Sequence, residues 1–334
     1  MSKGIKIGML LMLAVNWCYG QQSIQFSQYI FNSLSVNPAY AGYKEEWFGQ
    51  LGLRSQWTGW DGAPKTGQLS VDGVIDPVSR RHGVGLQLTS DKLGAQSATS
   101  IYGNYALRLQ LDHEDTKRLS LGVAAGVTTY GLDGDKLDPN DPTDPNIPVG
   151  KMSKWKPDIR LGVYYASPKW YVGVSVQDFF SKNKENEDYV FDKLATESLY
   201  RNINGYFMAG ALLNLSSELA LRPSLLVKDD FKGPTSLDLN AMFIFHDRLW
   251  IGGGYRTRSR VFNRDYSDQS AAKLSSRNAA VAIAQLYITP RFRIGYSYDV
   301  MLNKMSGNQN GSHEVTLGVT FGKPVVKLLS PRYF

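Results

Sequence analysis

Few residues in this chain are of a type and spacing that could do chemistry. Asp133, Asp135, Asp138, Asp141 and Asp144 crowd one stretch, with Pro139, Pro142, Pro145 and Pro148 among and just after them. Oxygen-rich loops hold Ca²⁺ when a flexible turn and a closing bidentate glutamate complete the cage. Here the spacing is not that of an EF-hand, no glutamate closes it, and proline stiffens it. The stretch therefore reads as a rigid, solvated loop. The four histidines, His82, His113, His246 and His313, are scattered, and no serine or aspartate recurs near them in a triad-like pattern. Triads can assemble from distant positions, so spacing alone only disfavours one. Gly252–Gly254 would suit a phosphate loop only between a strand and a helix, yet the alternation of a strand runs straight through it. Close packing or a strand bend is the better account. We expect no catalytic residue, no cofactor and no metal.

The charged residues that remain sit at alternate positions of apolar stretches. In 290–300, Phe292, Ile294, Tyr296, Tyr298 and Val300 share one parity, and Arg291, Arg293, Gly295, Ser297 and Asp299 the other. A helix would mix these sets, whereas a strand sends them to opposite faces. The same rule sorts Leu119, Leu121, Val123, Ala125 and Val127 from Ser120, Gly122, Ala124, Gly126 and Thr128, and Val315, Leu317, Val319 and Phe321 from Glu314, Thr316, Gly318 and Thr320. Matching a ten-residue alternating template along the chain predicts about fourteen strands. They lie near 46–57, 66–75, 82–90, 95–111, 117–130, 157–167, 169–177, 201–215, 218–228, 235–245, 248–258, 277–288, 290–300 and 311–322.

Every second connection is short: 76–81, 112–116, 167–168, 216–217, 246–247 and the turn at Thr289. The intervening ones are longer or more elaborate, above all 131–156, 178–200 and 259–276. An even strand number with short turns at one rim and long loops at the other is the pattern of an all-β, transmembrane antiparallel outer-membrane barrel, with the short turns in the periplasm. No apolar run is long enough for a spanning helix. Trp47, Trp57, Trp60, Tyr130, Trp155, Trp170, Tyr171, Trp250 and Tyr255 fall near strand ends, where an interfacial girdle would place them. If the apolar parity meets lipid, the lumen receives Arg54, Asp72, Arg108, Arg160, Arg222, Lys228, Asp238, Arg256, Arg291, Arg293, Asp299 and Glu314. The opposite choice would cost about 2–4 kcal/mol for each Lys or Arg at mid-depth. Both signs are present. They form either a mutually paired lining or a surface that receives a peptide, and no pore selective for one class of ion is implied.

Composition agrees. The chain of 334 residues has 32 Gly, 19 Tyr and only 20% charged residues, with a formal charge of +7. Basic residues are scattered, so no nucleic-acid surface is expected. Residues 1–20 read as a secretory signal: Lys3 and Lys6, then the apolar run 7–15, then small residues at a cleavage point after Gly20. The single cysteine, Cys18, would leave with it, so the mature chain would have no thiol chemistry. The expected organisation is a signal peptide over 1–20, an N-terminal periplasmic or plug segment over 21–45, a transmembrane barrel over 46–322, and a periplasmic tail over 323–334. That tail is either a docking peptide or a frayed end.

The segment from Gln25 to Gly42 fits neither template. Phe26, Tyr29, Phe31 and Tyr40 alternate irregularly with Ser, Asn and Gln until Asn37-Pro38 breaks the chain, so it must pack against something already built. We expect it to enter or cap the periplasmic mouth of the barrel, with Phe26, Tyr29, Phe31, Asn37, Pro38 and Tyr40 as plug residues. The alternative is a periplasmic docking peptide.

FSQYIFNSLSVNPAYAG, followed by LRSQWTGWDGAPKT, WIGGGYRTR, IGYSYDV and SHEVTLGVTF, resembles the PorP/SprF family of type IX secretion system membrane proteins over essentially the whole mature chain. The resemblance implies an outer-membrane barrel of Bacteroidetes bacteria that assists export or surface anchoring of a cognate cargo protein, gliding adhesins included, through the cargo's C-terminal sorting domain. It implies as partners that cargo, periplasmic cell-wall-linked or translocon components, and outer-membrane lipid, and it implies no catalytic site. Asn37, Pro38, Tyr40, Gly42, Arg54, Gln56, Trp57, Gly62 and Pro64 carry the motif as structural or docking positions. A porin-like diffusion channel is the alternative function.

Overall fold

The computed structural model describes residues 26–137, 150–180, 190–191, 194–195, 203–231, 235–259, 279–302, 306–307, 309–321 and 334. The expected signal peptide, Asp138, Asp141, Asp144 and most of the C-terminal tail lie outside them. Fourteen antiparallel strands close into a barrel: β1 Trp47–Ser55, β2 Lys65–Val74, β3 His82–Leu93, β4 Gln96–Gln110, β5 Arg118–Asp133, β6 Lys151–Ala166, β7 Trp170–Gln177, β8 Asn204–Ala211 with its continuation Leu213–Asn214, β9 Leu219–Asp229, β10 Thr235–Phe245, β11 Leu249–Ser259, β12 Ala279–Thr289, β13 Phe292–Met301 and β14 Ser312–Phe321. Each strand pairs with its sequence neighbours, and β1 pairs with β14 from Trp47↔Phe321 to Ser55↔His313 to seal the ring. Closure leaves no open edge, which hydrocarbon would not tolerate. A separate two-stranded piece pairs Val190–Phe191 with Leu194–Ala195.

The two parities separate as sequence alternation requires. Leu53, Leu69, Leu86, Leu121, Val174 and Ile251 stand exposed on the outer face, while Gln50, Arg54, Gln68, Asp72, Ser120 and Arg160 are buried inside. Two expectations need correction. Among the girdle residues, Tyr130, Tyr171 and Trp250 point inward and are buried. Trp170 and Tyr171 are neighbours, so strand geometry permits only one of them to face lipid. Trp250 shares the inward parity of Arg256. The outer rim is also not long-looped throughout, because β3 and β4 are joined by Gly94 and Ala95 alone. There the outer wall is raised by strand length instead, with β4, β5 and β6 running 15, 16 and 16 residues.

The short turns are held by their own side chains. In the β4–β5 turn the Asp112 carboxylate accepts hydrogen bonds from the amides of Thr116 and Lys117 at 2.9 Å each, and from the Thr116 hydroxyl. These bonds, the Thr116 hydroxyl first, hold its carboxyl below the usual range. The stabilisation is therefore fully present above the ordinary carboxylate pKa and lost as pH falls through the lowered one. Asp112→Ala should speed amide exchange at Thr116 and Lys117 at neutral pH, and acid should erase the difference from wild type.

Candidate functional site: a lumen occupied by the N-terminal segment

Residues 26–45 lie inside the barrel. Ser27 to Ser33, Leu34, and Val36 to Tyr43 are buried almost completely, although they belong to no strand. Short 3₁₀ turns at Tyr29–Phe31, Ser33–Ser35 and Pro38–Tyr40 let Ser- and Asn-rich sequence close its own backbone bonds where neither ladder nor long helix is available. The third turn begins in a local signal: Asn37 is its N-cap, accepting from the Ala39 amide at 2.9 Å, and Pro38 takes the first position.

The segment runs through the lumen from its outer half to the periplasmic rim. At the outer end, near the finish of β1 and β13 and the start of β14, the Ser27 and Gln28 amides donate to Glu314 at 2.8 and 3.2 Å, and the Ser27 hydroxyl donates to Asp299 at 2.6 Å. Arg54 joins both carboxylates, at 2.6 Å from Asp299 and 3.0 Å from Glu314, and donates to the Ser27 hydroxyl at 2.9 Å. Arg256 bridges Asp238 and Asp299. Three carboxylates face two guanidiniums, and the amides of the segment help to balance the surplus negative charge.

Halfway down, lumen side chains satisfy the carbonyls that the 3₁₀ turns leave open. Arg222 donates to Ile30 O at 3.2 Å, Arg293 to Phe31 O at 3.0 Å, and Ser175 and Gln177 both to Val36 O at 2.6 Å. Asn37 donates across the wall to Val163 O and Val174 O, at 2.9 and 3.2 Å. Phe31 meets Trp250 edge-on with centroids 5.6 Å apart, and Tyr40, Tyr43, Tyr164 and Tyr171 form one aromatic stack. At the periplasmic end Asp72 accepts from the Gly42 amide at 2.9 Å. Glu45, in left-handed backbone, lies 2.9 Å from Arg80, 3.2 Å from Arg108 and 3.9 Å from Arg118.

The wall is shaped for this occupant. A methyl group built on Gly122 would stand 2.1 Å from the Ala39 nitrogen, one on Gly162 2.0 Å from Asn37 Oδ1, and one on Gly83 2.0 Å from the Ala41 carbonyl oxygen. The glycines form a trough in which the segment lies against strand backbone. On the outer side lies a cavity of about 60 Å³ lined by Phe26, Tyr29, Gln87, Arg160, Gln177 and Lys228 among others. One water needs about 10–15 Å³ of such space, so the cavity has room for a few waters.

The structure thus gathers Arg54, Asp238, Arg256, Asp299 and Glu314 into one cluster, puts Asp72, Arg222 and Arg293 singly against the segment, and sets Arg160 apart, stacked 3.4 Å over the Tyr102 ring. Arg291 is a correction. It lies outside the lumen, exposed in the β12–β13 turn, because Pro290 and Arg291 make the turn and the strand begins only at Phe292. Residue 334 is another, since Phe334 is buried inside the barrel rather than free in a periplasmic tail. The Tyr40 hydroxyl holds its backbone oxygen and Tyr171 packs against its ring. Ser27, Gln28, Glu45, Arg80, Arg118 and the trough glycines carry as much of the arrangement as the expected residues do. The available signal was small side chains recurring on the inward parity of β5.

The residues weighed for chemistry are dispersed. His82 pairs with Tyr105, His313 with Tyr296, His246 with Glu218 in an exposed turn, and His113 is exposed in another turn. Among the described residues no group of His, Cys, Asp and Glu is placed to hold a metal ion.

A family model described as type IX secretion system membrane protein PorP/SprF matches residues 19–319. No curated protein matches the chain in sequence. Among solved structures, the Ralstonia pickettii toluene transporter TbuX is 10% identical, with 87% of this chain and 93% of that one covered and a TM-score of 0.50. A Pseudomonas aeruginosa FadL homologue is 11% identical, covering 91% and 96%, with a TM-score of 0.46. The Acinetobacter baumannii protein Omp33 is 9% identical, covering 83% and 100%, with a TM-score of 0.43. Of these, the likeness to TbuX, at a TM-score of 0.50 and 10% identity, speaks for the outer-membrane barrel fold alone.

Proposed function

The chain belongs to the PorP/SprF family of type IX secretion system membrane proteins, and from that premise we propose that it is a non-enzymatic outer-membrane scaffold for a cognate cargo protein. In this reading it assists export of the cargo, or holds it at the cell surface, by receiving the cargo's C-terminal sorting domain. The observation that carries it is the filled lumen: among the described residues the interior is bonded from end to end to residues 27–45, which leaves little room there for an unfolded chain. Recognition then falls to the outer rim, where the long strands β4, β5 and β6 raise the wall, and to the periplasmic rim with its Glu45–Arg80–Arg108–Arg118 network. Residues 1–20 act as the export signal, and periplasmic cell-wall-linked or translocon components meet the inner rim.

Deleting the gene should leave one type IX cargo trapped inside the cell or shed into the medium, and pull-down of the native barrel should recover that cargo. Normal display of every such cargo would defeat the proposal. A porin-like diffusion channel is the competing reading. Purified wild-type protein in a planar bilayer should pass no steady ion current, and a steady current would favour the channel.

A further inference from the structure

Phe334, the last residue of the sequence, lies within the periplasmic half of the barrel, 4% exposed. Its backbone oxygen accepts a hydrogen bond from the Tyr40 hydroxyl at 2.5 Å, and its ring sits 4.9 Å from that of Tyr171. Arg222 lies 5.6 Å from the same ring, 5.6 Å from Trp250 and 5.9 Å from Tyr171. The Arg222 side chain is fully buried, with Nη2 on Ile30 O, while among the described residues Nε and Nη1 meet no hydrogen-bond acceptor in bonding geometry. A guanidinium so placed draws part of its stabilisation from the faces of the surrounding rings. Phe334 supplies one of those faces and at the same time accepts the hydroxyl of a residue of the N-terminal segment.

We propose that the chamber formed by Tyr40, Tyr171, Arg222 and Trp250 is a binding site for an aromatic residue, occupied by the chain's own Phe334, which latches the N-terminal segment inside the barrel. Occupancy joins three parts of the chain that share no ladder: the segment through Tyr40, the wall through Tyr171 and Arg222, and the far end of the sequence. Emptying the site removes one ring from Arg222 and the acceptor from the Tyr40 hydroxyl together. The segment then loses one of its anchors in the periplasmic half, at Tyr40, while the outer cluster at Ser27 stays made.

The test uses the full-length protein. Because Cys18 is the chain's single cysteine and lies in the expected leader, Ser33→Cys, which leaves Phe334 in place, can be labelled selectively. It should resist a maleimide in the folded barrel and become reactive when Phe334→Ala is added; equal labelling in both backgrounds would overturn the proposal. Phe334→Ala should be cleaved by protease within residues 27–45 about tenfold faster than wild type, with Phe334→Trp close to wild type. Heat-modifiable migration in a gel reports that each variant is folded. A folded Phe334→Ala barrel with wild-type protection would refute the latch.

Discussion

Replacing Gly162 by valine, together with Gly122 by valine, should expel residues 37–41 from the wall and open the barrel to ions. A Cβ at Gly162 falls 2.0 Å from Asn37 Oδ1 and 3.0 Å from Pro38 Cδ, and one at Gly122 falls 2.1 and 2.3 Å from the Ala39 nitrogen and Cα. Atoms do not approach so closely, and what they meet is backbone or a capping side chain fixed by its own bonds. Overpacking typically costs about 1–3 kcal/mol per site. Losing the Asn37 bonds to Val163, Val174 and Ala39 adds roughly 0.5–1.5 kcal/mol each. The strands need not unfold to relieve this, because residues 37–41 belong to no strand and join the wall at β1 through Glu45 and Glu46. The double variant should therefore keep its heat-modifiable barrel, be cleaved readily within 27–45, and conduct in planar bilayers where wild type does not. Gly67→Ala is the control, since a methyl there meets only Leu53 Cδ2 at 3.6 Å. A protected, silent double variant would mean that the trough does not hold the segment.

The second large effect belongs to Arg54. Its guanidinium is buried between Asp299 and Glu314, and among the described residues no other cation is bonded to Glu314. Removing one member of a buried charge cluster leaves its partners uncompensated, at a cost of about 3–5 kcal/mol, whereas replacing the whole cluster by neutral groups can be nearly neutral. Arg54→Met should lower the temperature at which the barrel band shifts in a gel and reduce its resistance to denaturant by that amount. Adding Asp299→Asn and Glu314→Gln to Arg54→Met should recover most of it. If Arg54→Met alone costs nothing, these groups do not share charge as their distances imply.

How much of this was legible follows from what each feature depends on. Fourteen strands could be read because each strand states its own parity: Leu119-Ser120-Leu121-Gly122 needs no partner to reveal which side chains face lipid. The N-terminal segment was legible as a misfit, since aromatics spaced among Ser and Asn belong to no period. Its depth was not. Entering or capping the mouth was the expectation, whereas Ser27 reaches the outer-half cluster. Which carboxylate meets which arginine depends on register and barrel stagger, and these are properties of strand pairs. Arg291 failed for a local reason, because alternation was continued through Pro290 into a turn. Phe334 failed for a remote one, because its pocket is built from Tyr40, Tyr171 and Arg222, each distant in sequence.

The path of the segment also orders events in time. The bonds from Ser27 and Gln28 to Asp299 and Glu314 span 272 to 287 residues, nearly the full described chain. Contacts of such separation cannot form until the last strand arrives, which makes them slow to nucleate. The same strand, β14, closes the ring against β1 from one side and supplies Glu314 from within. The first residues to be made are thus among the last to be satisfied, and sealing of the cylinder and capture of its contents become one cooperative step. An assembly intermediate lacking β14 would be open along the seam and would leave the Ser27 and Gln28 amides without Glu314 at once.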